Sequence, residues 1–257
     1  MWSSHRLLIY SASGDSRSDP PIASTQRARS RVPNRVPGVS APPSLTPDDY
    51  VRARRLLMRR DPVLGRTIKQ IGPCGLASRQ QPDHLTALAR AIVGQQLSSK
   101  AAATIFARFA ALFPGALITA PGLDRLEDQT LRGVGLSGQK LAYMRDLSAR
   151  LSDGRLQLDD LDLLSDEAVV ERLTAVKGFG RWTAEMFLMF RLHRPDVLPV
   201  GDLGIMNAVQ RLYRLRKRPN PKKLLQIGET WRPYRSVACW YLWQSLRRED
   251  TKSTVNR

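Results

Sequence analysis

The segment Leu173-Thr-Ala-Val-Lys-Gly-Phe-Gly-Arg-Trp-Thr-Ala-Glu185 sets two glycines, Gly178 and Gly180, between two stretches of helical periodicity. Gly178 supplies the left-handed residue that ends the first helix. Gly180 lets the backbone approach another surface as the second helix begins. Successive amides at a helix start form an anion site suited to one phosphate, and Lys177 and Arg181 add charge beside it. A plain helical corner stapled by Val176 and Phe179 has the same local pattern, so the flanking sequence has to decide between the two.

Outward from this hairpin the pattern stays helical. Thr46-Pro47 and Asp61-Pro62 read as N-cap and first-turn pairs. Asp83, Ser98, Ser137 and Ser165 are further N-caps. Asp83 precedes an apolar face of Leu85, Leu88, Ala89, Ile92 and Val93, and Ser98 precedes one of Ala101, Ala102, Ile105, Phe106 and Phe109. Strand-like alternation is absent, so the expected fold is all-α: a compact bundle of about ten helices with short connections. Residues 1–47 hold seven of the 17 prolines and ten serines without sustained periodicity, which reads as a disordered tail. Residues 48–250 then form the domain, and 251–257 a flexible C-terminus.

The charge is distributed unevenly. The 257 residues carry a formal net charge of +18. The tail contributes +4, residues 48–176 +3, and residues 177–257, with 17 basic and six acidic residues, +11. That last third also holds ten of the 17 aromatic residues, including four of the five tryptophans. Clustered cations with aromatics suit a nucleic acid, whose phosphates need neutralising and whose bases need stacking faces. No apolar run reaches the length of a membrane span. Two cysteines, Cys74 and Cys239, exclude a disulfide framework and a cysteine-held cluster. His5, His84 and His193 make no metal-ligand spacing.

Four motifs in order make the hairpin specific. Ile92-Val-Gly-Gln-Gln-Leu-Ser98, the hairpin Val176-Lys-Gly-Phe-Gly-Arg-Trp-Thr-Ala184, Leu198-Pro-Val-Gly-Asp-Leu-Gly-Ile205 and Trp231-Arg-Pro-Tyr-Arg-Ser-Val-Ala238 together resemble the helix–hairpin–helix DNA glycosylase superfamily. Within it they resemble the alkylated-base branch, that of DNA-3-methyladenine glycosylase II. Lys177 departs from the proline usual at that position, and residues 1–47 offer no counterpart to the amino-terminal β domain of some relatives. The resemblance implies a two-lobed bundle with a cleft between the lobes.

It also implies roles. Asp202, an evident N-cap before Leu203, Ile205, Met206 and Val209, becomes the catalytic carboxylate. An anion beside the sugar lowers the barrier as oxocarbenium character develops. Most glycosidases add a second carboxyl to protonate the leaving group, but an N3- or N7-methylpurine is already cationic and leaves without one. Bifunctional relatives place a Schiff-base Lys two residues after the second hairpin glycine. Here that residue is Trp182, so no strand scission is expected. Trp182 and Trp243 fall where relatives carry pocket tryptophans, suited to a cationic base, and Met186 stands where some have Tyr. Gln96, with Leu97 second, resembles the intercalating residue that fills the vacated stack. The glycosylase reading requires neither metal nor cofactor.

Two further features stand outside the resemblance. Gly135-Leu-Ser-Gly-Gln-Lys140 reads as a second phosphate site through its amides and Lys140, and the run from Arg211 to Lys223 as a backbone track. The expected partner is double-stranded DNA carrying alkylated bases, bound by a monomer without membrane association. Its expected place is the bacterial cytoplasm at the nucleoid, or a eukaryotic nucleus or organelle. The rival readings are a glycosylase for uracil or other neutral bases, and a non-catalytic DNA-binding module.

Overall fold

The computed structural model describes residues 43–76 and 83–255. Among them are twelve α-helices and no strand, in agreement with the all-α expectation. Every N-cap named above is made by its side chain. Thr46 opens α1 (Pro47–Arg60) and Asp61 opens α2 (Pro62–Ile71). Asp83 opens α3 (His84–Gly94) and Ser98 opens α4 (Ser99–Ala110). Two six-residue helices follow, α5 (Ala120–Arg125) and α6 (Asp128–Gly133). They raise the number above ten, and a helix under two turns is too short to display a period.

Ser137 caps α7 (Gly138–Ser152) and Ser165 caps α8 (Asp166–Thr174). The remaining helices are α9 (Arg181–Phe190), α10 (Leu203–Leu212), α11 (Pro221–Gly228) and α12 (Arg235–Val255). Helices α1, α2, α10 and α12 pack on one another, while α3 packs on α4, α7 and α9. One continuous apolar core joins the two groups. Asp202 caps α10 in the first group and is hydrogen-bonded by Trp182, in the first turn of α9 in the second, so the candidate carboxylate lies where the groups meet.

The domain limits shift slightly from the sequence reading. Residues 1–42 of the proposed tail lie outside the described residues. Its last residues are docked: Ser44 Oγ donates to the Leu192 carbonyl at 2.7 Å, and the Leu45 amide to that of His193 at 2.9 Å. These hydrogen bonds move the domain start ahead of residue 48. At the other end α12 runs to Val255, so the helix continues past residue 250. Among the described residues no helix is long and apolar enough to cross a membrane, and no cluster of three metal-ligating side chains occurs. Cys74 and Cys239 are buried and are not joined in a disulfide.

Candidate active site

The hairpin is built as its sequence requires. Val176 and Phe179 are buried and staple it to the core. Gly178 has φ +83°, and a Cβ there would lie 2.2 Å from the ring of Tyr143, so this position excludes side chains by conformation and by space. Gly180 has an ordinary φ of −99° and caps α9 without a side-chain partner. No atom lies within 4 Å of where its Cβ would stand. The space beside Gly180 is therefore open, at a helix start with its partial positive charge.

The cations proposed around the hairpin divide. Lys177 is exposed, and its backbone N–H donates to Asp146 Oδ2 at 2.8 Å. Burial opposes the Asp146 charge, but the Lys177 amide and Arg150 outweigh it and hold the carboxyl below its usual range. Arg181 is a correction. Its guanidinium donates twice to Glu167, at 2.8 and 2.9 Å, and its Nε to Glu185 at 3.2 Å. Helices α8 and α9 pack together, which brings Glu167 to Arg181 and commits that charge within the protein. Lys140 is a second correction. Its Nζ donates to the Val93 carbonyl at 2.8 Å, among the unsatisfied carbonyls of the α3 C-terminus, and burial lowers its pKa.

The α3–α4 loop opposes the hairpin. Gln96 is exposed with φ +59°, Leu97 is half-buried, and Gln95 Nε2 donates to the Gly178 carbonyl at 2.9 Å. Between loop, hairpin and the start of α7 lies a cavity of about 220 Å³, whose wall includes Gln96, Lys140, Tyr143, Gly178, Gly180 and Trp182.

Asp202 lies behind Trp182, with 5% of its surface exposed. Its Oδ1 accepts from the Ile205 amide at 2.8 Å and from Trp243 Nε1 at 3.1 Å, and its Oδ2 from Trp182 Nε1 at 2.7 Å. None of the ion pairs among the described residues involves Asp202, so its negative potential is shaped by dipoles rather than cancelled by a cation. The loop leading to it is pinned from α12. Arg235 Nε holds Asp196 Oδ1 at 2.8 Å, and Ser236 Oγ donates to the Arg194 carbonyl at 2.6 Å while accepting from the Val197 amide at 3.0 Å. This assigns Arg235 and Ser236 to packing of that loop.

Two pocket candidates prove to be interior. Trp243 is buried and stacks on Phe190, with centroids 5.8 Å apart and planes at 22°, so it meets Asp202 through its N–H edge. Met186 is 1% exposed and belongs to the core, because α9 turns that side toward the first helix group. Glu185 was not singled out by sequence. Burial raises its pKa to about 7, against the pull of Arg181, and the Asp202 charge adds to the rise. Tyr143 and Asp146 were also missed. With Gln139 they recur at helical spacing along α7, the signal that would have found them.

Comparison with known proteins follows the same lines. Residues 89–233 match the HhH-GPD superfamily of base excision DNA repair proteins, and the chain belongs to that superfamily. It is 36% identical over 180 residues to DNA-3-methyladenine glycosylase 1 of Schizosaccharomyces pombe, covering 69% of this chain and 79% of that protein. The fold is similar to the solved S. pombe 3-methyladenine DNA glycosylase in complex with abasic DNA, with TM-score 0.69, 34% identity, and 76% and 97% of the two chains covered. It is also similar to a DNA-3-methyladenine glycosidase from Bacillus halodurans, with TM-score 0.66, 39% identity, and 75% and 88% covered. The resemblance read from the four motifs is borne out.

Proposed function

We propose that this chain is a monofunctional DNA glycosylase of base excision repair. It acts as a monomer on duplex DNA, hydrolysing the N-glycosidic bond of alkylated purines, 3-methyladenine foremost, and leaves an abasic site. The observation that carries the proposal is the Asp202 carboxylate: buried, fixed by three N–H donors and paired with no cation among the described residues. Such a group is preorganised to stabilise positive charge developing on a sugar, because its orientation costs nothing at the moment of reaction. The relatives' names support the substrate class.

In this reading the α9 amides hold a phosphate and Gln96 enters the stack. Asp202 then stabilises the oxocarbenium-like sugar and aligns water on it. The cationic purine departs without a general acid. Trp182 offers its ring to the cavity and its N–H to Asp202, while Trp243 holds the carboxylate from the core side. With Trp at position 182, no amine stands where bifunctional relatives form a Schiff base. The cavity wall also includes Ser137, Gln139 and Thr183, hydrogen-bonding groups that favour a neutral damaged base as the second reading.

The test is base release from methylated duplex DNA by wild type and Asp202→Asn. Wild type should free methylpurine and leave the strand intact until alkali or heat is applied. Abasic-DNA binding without base release would sink the enzymatic reading, and scission without alkali the monofunctional one.

A further inference from the structure

We infer that Gln95 is a positioning residue that keeps the stack-filling loop in register with the phosphate-binding hairpin, so that it serves extrusion of the base rather than bond cleavage. The inference rests on the glycosylase reading above and adds a role to a residue that the reading leaves unused.

Extruding a base needs two things at a fixed separation. One group must hold the backbone, and another must enter the space the base leaves. These tasks fall on opposite rims of the cavity, 83 residues apart in sequence, and Gln95 Nε2 joins the rims directly through the Gly178 carbonyl at 2.9 Å. Helix α7 braces both rims from below. Lys140 Nζ binds the Val93 carbonyl at the end of α3 at 2.8 Å, the Tyr143 ring lies against Gly178, and Asp146 takes the Lys177 amide at 2.8 Å. The contacts close a ring: loop, hairpin, α7, and back to the helix that carries the loop.

Within this ring the loop is the part that depends on help. Gln96 occupies the left-handed region at φ +59°, which a glutamine adopts only where its surroundings hold it. Its restraints are the turn hydrogen bond from the Leu97 amide to the Gly94 carbonyl at 3.3 Å, the Gln95 carboxamide and the Ser98 cap of α4. Without the carboxamide donor, α7 still holds the hairpin and the end of α3, and the turn keeps its own hydrogen bond, but the loop tip is no longer tied to the hairpin. A displaced tip fills the stack poorly and leaves the Asp202 carboxylate as it was.

The test compares one lesion in two settings, using single-turnover release of 7-methylguanine at saturating protein. The base is either paired with cytosine or placed opposite an abasic gap, where extrusion is easy. Gln95→Met keeps the side-chain volume and removes the donor, and Gln95→Glu sets a carboxylate against the Gly178 carbonyl. Both variants should release the paired base about tenfold more slowly and the unpaired base within twofold of wild type. Equal slowing in both settings, or none in either, overturns the inference. If wild type frees no base at all, the glycosylase reading fails instead. The clasp is then judged by the fluorescence of 2-aminopurine opposite an abasic site, which should change less on binding Gln95→Met than wild type, an equal change counting against it.

Discussion

Two buried aspartates occupy nearly the same local environment, and the contrast between them separates structural work from the chemical work proposed for Asp202. Asp61 and Asp202 are 6% and 5% exposed, and each N-caps a helix and accepts an indole N–H. Asp61 takes the Val63 and Leu64 amides, both at 3.0 Å, together with Tyr213 Oη and Trp231 Nε1, the last at 2.8 Å. Both of its oxygens are spent on fastening α2 to Tyr213 and the fully buried Trp231. Asp202 has three donors, and the one on Oδ2 belongs to Trp182, which is half-buried and lines the cavity. Burial and capping are common to both; access through a single ring is particular to Asp202.

The strongest way to break the contrast is to exchange the phenotypes of the two aspartates. Asp202→Asn keeps a good cap and removes the charge, so single-turnover excision should fall about 10³-fold with folding retained. Asp61→Ala removes the cap and strands the Tyr213 hydroxyl and the Trp231 N–H, which should cost about 3 kcal/mol in denaturant unfolding. Its excision rate per folded molecule should stay near wild type. A large rate loss in Asp61→Ala, or an intact rate in Asp202→Asn, would erase the distinction.

The indoles sharpen it further. Trp182→Phe and Trp243→Phe each delete one donor to Asp202, and each should slow excision about tenfold, or about 1.4 kcal/mol. Trp231→Phe deletes a donor to Asp61 and should lower stability by about 1–2 kcal/mol without a comparable rate change.

A smaller effect distinguishes the two ends of α10. From Asp202 the helix runs ten residues, about 15 Å, into a stretch, residues 203–228, with seven cations and no acid. Arg214, Arg216, Lys217, Arg218, Lys222 and Lys223 are all exposed. Replacing Arg216, Lys217, Arg218 and Lys222 by Gln should weaken binding to undamaged duplex. The slope of log affinity against log salt should become shallower by about one for each phosphate left without its cation. Excision at saturating protein should not change.

The smallest expected effect is on pH. Burial raises the Glu185 pKa to about 7, so the folded state retains a proton that the unfolded chain releases near its ordinary 4.5. The stability from that proton is complete below about 4.5 and lost as pH rises through about 7. Glu185→Gln should therefore gain on wild type between pH 5 and 8, by about 2–4 °C in thermal melts. A constant difference across that range would show that Glu185 does not titrate there.

How much of this was legible in the sequence depends on the range of each interaction. Capping is local chemistry, and Thr46, Asp61, Asp83, Ser98, Ser137, Ser165 and Asp202 all cap as their sequence positions indicate. The turn at Gly178 was equally readable, since its φ and its local partners lie within a few residues. Partners across the fold were not. Arg181 looks like a phosphate ligand until α8 delivers Glu167, and Lys140 likewise until α3 ends beside it. Trp243 has the right position for a pocket wall, but its ring is stacked on Phe190 and only its N–H edge reaches the site. A charge or a ring in a sequence states what it can bind and leaves open what the fold has already given it.

The start of α9 at Gly180, capped without a side chain, carries one more consequence. The phosphate grip proposed there is made of peptide N–H groups, with no side chain to truncate, oxidise, acetylate or titrate. In the proposed function its sensitive points are two atoms that are missing: a Cβ at position 180 would fill the open space beside the helix start, and one at position 178 would strike the Tyr143 ring.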